Sequence, residues 1–146
     1  MTTFDPARAS FTGQATEAPV VLIVEDEVLV RFALADHLRE QGFKVYEARN
    51  ADEAIQLLSF YRGEVDVIFS DIVMPGELDG FELAMWVRKH RPDVQVILNS
   101  AYYADIERDS NLRDVFFSKP YDLKAVVERL AAAVRWRKAT KTQDHS

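Results

Sequence analysis

The sequence predicts an α/β fold, with a doubly wound, five-stranded parallel sheet covered by five helices. The first observation behind this prediction is a set of short apolar runs typical of strands, at 20–24, 43–48, 67–71, 94–98 and 115–117. The second is that a helical segment, one of them only weakly periodic, follows each run. Strands that alternate with helices through short connections are typical of a parallel sheet with helices on both faces.

Composition and charge limit the kinds of protein that this chain can be. Its 146 residues suit one domain, and 48% of them are hydrophobic and 29% charged, as in a globular protein. We expect no membrane span, because no apolar run reaches about 18 residues, and residues 1–19 lack the apolar core of a signal peptide. The net charge of −6 argues against nucleic acid as a direct partner. The absence of cysteine is typical of a cytoplasmic protein.

The first strand and helix carry acids at one end, with apolar residues beside them. Val20–Val24 is apolar throughout, as expected for a parallel strand buried on both faces, and acids occupy 25–27. The helix that follows is predicted to end at Gly42 and to bury a stripe made of Val30, Ala33, Leu34, His37, Leu38 and Gln41. Leu29 and Phe32 lie off that stripe, which makes them candidates for a partner surface.

The middle of the chain supplies two more strands and two more helices. Residues 43–48 alternate like an edge strand, and Asn50 is predicted to cap a helix that runs to about Tyr61. The third strand ends at Asp71. A helix that begins at 79–80 is then predicted to bury Leu83, Trp86, Val87 and His90, and to end before Pro92.

The remainder of the chain sets the predicted domain boundaries. The fourth strand leads to polar residues at 99–100, and the fifth strand leads to Lys119. The segment 102–111 between them is predicted as a weak helix or a mobile segment. The last helix runs to about residue 138. We therefore predict a flexible arm at 1–18, one domain at 19–138 and a disordered tail at 139–146.

The polar strand ends meet if the strand order is 2-1-3-4-5. The first and third strands are then neighbours, so that Glu25, Asp26 and Asp71 come together at the carboxyl edge of the sheet, where ligands bind in open α/β sheets. Ser100 and Lys119 would lie beside them, at the ends of the fourth and fifth strands.

Such a cluster predicts phosphoryl chemistry with a divalent cation. Two carboxylates about 4 Å apart repel by roughly 4 kcal/mol at an effective dielectric constant near 20, and Mg²⁺, which prefers oxygen ligands, relieves this. A carboxylate in such a site can act as the nucleophile in phosphoryl transfer. We expect Asp71 to be that nucleophile, with Glu25, Asp26 and the backbone carbonyl of Val73 as further metal ligands.

These residues resemble a known family of signalling domains. The motifs that carry the resemblance lie in the expected order at the strand ends: Glu25-Asp26, Asp71 with Met74-Pro75 and Asp79-Gly80, Ser100-Ala101, and Lys119-Pro120. The chain resembles the receiver domain of bacterial two-component response regulators over about residues 19–138. The resemblance implies a flavodoxin-like fold with the strand order 2-1-3-4-5.

The resemblance also implies a role for each residue. Asp71 would accept a phosphoryl group from a histidine of a sensor histidine kinase or a histidine phosphotransfer protein, with Mg²⁺ bound. Ser100 would donate a hydrogen bond to the phosphoryl group and Lys119 would pair with it. Phe116 occupies the position of an aromatic switch residue that turns inward. A cis peptide bond is implied between Lys119 and Pro120.

The chain departs from the family pattern in the loop after Asp71. Residues 76–78 make this loop one residue longer than usual, and Glu77 could compete there as an acid. Val73 and Tyr102 occupy the positions that tune hydrolysis of the phosphoryl group in the family. Because neither side chain can orient a water molecule through a carboxamide or carboxylate, we expect a long-lived phosphoryl form.

The expected output is binding to another protein. The sequence ends shortly after the last predicted helix, which suggests a stand-alone receiver with an unknown downstream partner. Leu29 and Phe32 would contact the kinase, because the first helix does so in the family. Tyr102, Tyr103 and Trp136 are candidates for an output or dimer surface, the dimer being dependent on phosphorylation.

Two alternatives remain open on the sequence alone. A degenerate receiver would bind a partner without being phosphorylated. A phosphatase resembling the haloacid dehalogenases would use Asp, Mg²⁺ and Lys as well, although that class places its nucleophile after the first strand. We expect a switch and not a turnover enzyme.

Overall fold

The computed structural model describes residues 17–61, 64–101 and 116–144. These residues form five parallel strands in the order β2-β1-β3-β4-β5, together with four helices. The elements are β1 (Val20–Val24), α1 (Val28–Glu40), β2 (Lys44–Ala48), α2 (Ala51–Phe60), β3 (Val67–Asp71), α3 (Gly80–His90), β4 (Gln95–Ser100), β5 (Phe116–Ser118) and α4 (Leu123–Asp144). The predicted sheet and strand order are confirmed. The helix predicted at 102–111 lies outside the described residues.

The sheet separates two apolar cores. Every residue of β1 and β3 is buried, and alternate side chains point to opposite faces, as in any strand. One face packs against α1 and α4; its members include Val21, Ile23, Phe69, Leu34, Leu38, Leu130 and Val134. The other face packs against α2 and α3; its members include Leu22, Val24, Ile68, Leu58, Leu83 and Val87. With both faces covered, only the ends of the strands can present polar groups to a ligand.

The buried face of α1 differs from the predicted stripe. Leu34 and Leu38 are buried as predicted, but Ala33 is exposed and His37 only half-buried. Arg31 is buried in addition, although a charged residue at this position was not expected to face inward. The physical reason is that its guanidinium donates to the Glu25 carbonyl, just after β1, and to the Glu47 carboxylate on β2, which offsets the loss of hydration.

Side-chain caps define the starts of two helices. The Asn50 side chain accepts a hydrogen bond from the Glu53 N–H (2.8 Å), so the predicted cap of α2 is confirmed. Asp79 and Glu82 form a capping box at the start of α3, with reciprocal bonds of 2.9 and 3.0 Å. The prediction that His90 faces inward is wrong, because its ring is exposed and stacks on Trp86 with centroids 4.3 Å apart.

The C-terminal helix is longer than predicted. α4 continues to Asp144, so the prediction of a disordered tail from residue 139 is wrong over 139–144. That stretch contains neither glycine nor proline, and Ala, Lys and Gln favour the helical conformation, so nothing in it stops the helix. Residues 145–146 of the predicted tail and residues 1–16 of the predicted arm lie outside the described residues. The last two residues of that arm, Glu17 and Ala18, are exposed and precede β1. None of the described helices is long and apolar enough to cross a membrane.

Candidate functional site

Three acids meet at the carboxyl edge of the sheet. β1 pairs with β3 in the register Val24↔Ser70, which brings Glu25, the residue after β1, beside Asp71 at the end of β3. One carboxylate oxygen from each of Glu25, Asp26 and Asp71 lies within 4.8 Å of the other two. Glu25 is only 3% exposed and Asp71 only 7%, whereas Asp26 is half-buried. The fold thus holds two carboxylates in a poorly hydrated position and a third at their rim.

Lys119 bridges the two buried acids. Its Nζ donates to Glu25 Oε1 and to Asp71 Oδ2, both at 3.1 Å. The lysine follows β5, where its own N–H donates to the Ser100 carbonyl at 2.8 Å and extends the pairing with β4. The peptide bond between Lys119 and Pro120 is cis, as the resemblance implied. Residues far apart in the chain therefore meet because the ends of β1, β3 and β5 lie at the same edge of the sheet.

The charges at this edge are incompletely balanced. Burial raises the pKa of Asp71 and outweighs the opposing effects of the Lys119 ammonium and of a hydrogen bond from the Val73 backbone. Burial likewise raises the pKa of Glu25, despite hydrogen bonds from the Glu27 backbone and Lys119. For Lys119, burial lowers the pKa, but Glu25 and Asp71 outweigh this and the net shift is upward. The ammonium thus stays charged, and ionising both acids remains unfavourable.

The cluster has the donor atoms that a hard divalent cation prefers. Three carboxylates close enough to share one ion offer oxygen ligands, and the charge that Lys119 leaves uncompensated favours a cation over a neutral molecule. Water could complete the coordination on the side of Asp26, which is the acid open to solvent. The residues present therefore fit Mg²⁺.

Gly80 allows α3 to begin directly against the end of β3. A Cβ atom at this position would lie 2.4 Å from the Asp71 carbonyl oxygen and 2.8 Å from the Ile72 Cα, distances that real Cβ atoms do not adopt. In place of a side chain, the Gly80 N–H donates to the Ile72 carbonyl at 2.8 Å. From the sequence, Gly80 is predicted as a helix start and as part of a family motif, but its close approach to the backbone of Asp71 and Ile72 was not predicted. The Asp-Gly pair was the available signal.

Ser100 and Phe116 lie on the strands next to Asp71. Ser100 is buried at the end of β4, in register with Ser118 of β5, while β3 and β4 align Asp71 with Asn99. Phe116 is half-buried and its ring lies 6.5 Å from that of Phe81 on α3. The Ser100 hydroxyl therefore lies on the strand next to that of Asp71, and the Phe116 ring lies one strand further along the sheet.

The remaining candidates lie on the surface or outside the described residues. On α1, Leu29 is 82% exposed and Phe32 49% exposed. Val73 is exposed, and Glu77 is exposed in the longer loop, where Gly76 has a positive φ of 109°. Trp136 is exposed on α4. Tyr102 and Tyr103, predicted as hydrolysis-tuning and partner-binding residues, lie outside the described residues.

Comparison with known proteins gives one consistent family. The model of the response regulator receiver domain matches residues 21–131. The sensor kinase CckA of Brucella abortus is 39% identical over 116 residues, which are 77% of this chain and 12% of that protein. The chain thus spans about an eighth of the length of this curated relative.

Two solved structures extend the similarity to the fold. The receiver domain of the hybrid histidine kinase CckA is 33% identical, with 79% of this chain and 98% of that chain covered and a TM-score of 0.66. The response regulator TrrA of Thermotoga maritima, solved in complex with Mg²⁺-BeF, is also 33% identical. It covers 77% of this chain and 98% of its own, again with a TM-score of 0.66.

Proposed function

Because the chain belongs to the response regulator receiver domain family, we propose that it is a Mg²⁺-dependent phosphorylation switch with Asp71 as the phosphoacceptor. Receiver domains take phosphoryl groups from sensor histidine kinases, so the proposed donor is such a kinase or a histidine phosphotransfer protein. The observation that carries the proposal is the bridge from Lys119 to both Glu25 and Asp71, with Asp26 beside them. The TrrA complex with Mg²⁺-BeF supports the same chemistry in a relative.

In the proposed reaction, a carboxylate oxygen of Asp71 attacks the phosphorus of a phosphohistidine. The new O–P bond forms as the P–N bond breaks, and the departing imidazole takes up a proton from solvent. Lys119, which donates to Asp71 before transfer, would then move its contact to a phosphoryl oxygen. The Ser100 hydroxyl would donate to a second phosphoryl oxygen. Since Asp71 is buried, these charges interact in a poorly hydrated site, where they are stronger than in water.

The proposed metal ligands are Glu25, Asp26, Asp71 and the backbone carbonyl of Val73. When bound, Mg²⁺ would neutralise charge that develops on the phosphoryl oxygens. Glu25 presents Oε1 to Lys119 and Oε2 to the Glu27 N–H at 3.1 Å, so its carboxylate is already held in one orientation. Asp26 is half-buried and can exchange water for the ion at little cost in packing.

The proposed readout is a change in protein binding. Phe116 would turn further inward when Ser100 moves toward the phosphoryl group; its ring already packs against Phe81. The exposed Leu29 and Phe32 form a proposed docking surface for the phosphoryl donor. Val73 is exposed beside the site and its side chain has no carboxamide or carboxylate to orient water, which favours a long-lived phosphoryl form.

The proposal is tested by incubating the protein with Mg²⁺ and acetyl phosphate, then measuring the intact mass. We expect one phosphoryl adduct, which disappears in Asp71→Asn and persists in Glu77→Gln, a control for an exposed acid in the neighbouring loop. Absence of an adduct with this donor and with histidine kinases would favour a degenerate receiver. Continuous turnover of a phosphoester would favour the phosphatase.

A further inference from the structure

We propose that Arg31 is a positioning residue for the metal site, which sets the affinity of the acids for Mg²⁺ without touching the ion. This inference rests on the proposed Mg²⁺ site at Glu25, Asp26 and Asp71. It starts from a buried cation in α1 that the proposed phosphoryl transfer does not use.

Arg31 connects three elements of the fold. From its place in α1, its Nη1 donates to the Glu25 carbonyl oxygen at 2.9 Å, and its Nε donates to Glu47 Oε1 of β2 at 3.2 Å. Its guanidinium also lies 5.4 Å from the centre of the Phe32 ring. The side chain is 9% exposed, so these contacts take the place of most of its hydration.

The bond to the Glu25 carbonyl acts on both acids of the turn. This carbonyl belongs to the peptide group between Glu25 and Asp26, and that group is planar. Fixing the direction of its oxygen therefore fixes the plane from which the two neighbouring side chains project. On the other side of the same residue, the Glu25 N–H donates to the Ala48 carbonyl of β2 at 3.0 Å.

Further hydrogen bonds fix the backbone of the turn at residues 25–27. The Glu27 N–H donates to Glu25 Oε2 at 3.1 Å, and the Arg31 N–H donates to the Glu27 carbonyl at 2.9 Å as α1 begins. Releasing the Arg31 side chain leaves the Glu25 carbonyl without this donor and frees the peptide plane to rotate. A carboxylate pair that must be ordered by the ion binds it more weakly than a pair already in place.

Arg39 provides a matched control on the same helix. It donates to the same acid, at 3.2 Å to Glu47 Oε2, and to the Val45 carbonyl at 3.2 Å. Its side chain is 46% exposed, and none of its hydrogen bonds within the described residues reaches Glu25. Loss of Arg39 removes a cation and a partner of Glu47 but leaves the turn at 25–27 untouched.

The test compares Arg31→Gln, Arg31→Lys and Arg39→Gln by calorimetric titration with Mg²⁺. We expect the Mg²⁺ dissociation constant to rise roughly 10-fold in Arg31→Gln, the lower end of the range for residues that orient metal ligands. Arg31→Lys, which keeps the charge but can replace only one of the two directed bonds, should give a smaller rise. Arg39→Gln should match the wild type.

A second measurement needs no metal. In a chelator, amide hydrogen exchange over 25–28 should be faster in Arg31→Gln than in wild type and Arg39→Gln, while exchange in β3 stays the same. If Arg31→Gln does not fold, Arg31→Lys carries both measurements.

The outcomes separate this inference from the proposed function. If the wild type binds Mg²⁺ and Asp26→Asn does not, but both Arg31 variants bind like the wild type, the positioning role is overturned and the metal site stands. Equal weakening in Arg31→Gln and Arg39→Gln would also overturn it, since the effect would then come from Glu47 or from net charge. Failure of the wild type to bind Mg²⁺ would overturn both.

Discussion

Two buried ion clusters lie at opposite ends of the same sheet, and they differ in how well their charges are matched. At the carboxyl edge, the Lys119 ammonium bridges Glu25 and Asp71. At the amino edge, the Arg137 guanidinium of α4 bridges Asp66 and Asp93, which precede β3 and β4. Each cluster thus contains two acids bridged by one basic side chain, yet the pKa of Asp93 is lowered while the pKa values of Glu25 and Asp71 are raised.

The difference follows from burial and from the number of cations. The Asp93 side chain is 25% exposed, against 11% for Asp71 and 4% for Glu25, and Arg91 Nε lies 3.8 Å from Asp93 Oδ1 as a second cation. Arg137 Nε donates to Asp93 Oδ2 at 2.9 Å while Nη1 donates to Asp66 Oδ1, so each acid has its own N–H; Asp66 Oδ2 also accepts the Val20 N–H at 2.9 Å. Burial raises the pKa of Asp93, but the hydrogen bond and charge of Arg137, a backbone hydrogen bond and the charge of Arg91 together outweigh this and hold that pKa below its ordinary value.

At the carboxyl edge the balance is reversed. Burial raises the pKa of both Glu25 and Asp71 in spite of the lysine, and Asp26 adds a third carboxylate nearby. A cluster that only stabilises the fold has no reason to keep such excess charge. The amino edge is thus a structural ion network in which each acid is paired with a cation, whereas the carboxyl edge has capacity left for a cation.

The largest expected effect comes from breaking the ion network at the amino edge. Arg137→Met keeps the helix and the side-chain length but leaves two acids at the amino edge without their shared partner. Removing one member of a buried ion pair costs about 3–5 kcal/mol, so we expect the free energy of unfolding in urea to fall by that amount. Arg135→Met, on the exposed face of α4, is the control and should change it by less than about 0.5 kcal/mol. A loss below about 1 kcal/mol for Arg137→Met would show that the network is not what holds this edge.

The next effect is expected at the carboxyl edge, with the opposite sign. Since the raised pKa of Asp71 means that its charge opposes folding, Asp71→Asn should raise the melting temperature of the protein in a chelator. Mg²⁺ should give the wild type the higher melting temperature of the two, because an ion at ten times its dissociation constant stabilises the wild type by about 1.4 kcal/mol. Thermal unfolding of both proteins with and without Mg²⁺ checks this. A lower melting temperature for Asp71→Asn in the chelator would mean that the edge is already balanced.

The sequence was sufficient to predict the carboxyl edge but not the amino edge. At the carboxyl edge, Glu25 and Asp71 each come at the end of an apolar run, so the sequence alone identifies them as residues at strand ends. Placing these two strand ends side by side required the strand order that the resemblance implies. The Arg137 network joins residues 71 and 44 positions apart, and its existence depends on where α4 crosses the sheet. No local pattern encodes that crossing.

The same limit explains the missed role of Arg31. Helical periodicity separates apolar from polar positions, so it predicts an exposed position for Arg31. The partners that keep this side chain buried lie outside the helix, on Glu25 and Glu47. Glu47 is 16 residues away, and the other partner is a backbone carbonyl that no residue type reveals. The contacts that were not predicted are therefore polar contacts between elements distant in the sequence, whereas the apolar strands and the polar residues at their ends were predicted.

The smallest effect, and the most direct test of the comparison, is the pH dependence of stability in a chelator. For Glu25, whose pKa is raised above its ordinary value of 4.5, the folded state binds the proton more tightly than the unfolded state. Its charge therefore costs no stability below pH 4.5, and the cost grows as the pH rises through the folded pKa. For Asp93 the lowered pKa contributes stability that is complete above its ordinary value of 3.8 and is lost as the pH falls through the folded pKa.

Replacing each acid by its amide should thus give curves of opposite sign. Glu25→Gln should be more stable than the wild type at neutral pH and equal to it below about pH 4, since both are then uncharged at this position. Asp93→Asn should be less stable at neutral pH, and the difference should shrink only in stronger acid. Urea unfolding at a series of pH values measures both. If the two variants shift stability in the same direction at neutral pH, the two ends of the sheet carry equivalent ion clusters, and the excess charge at Asp71 no longer argues for a bound cation.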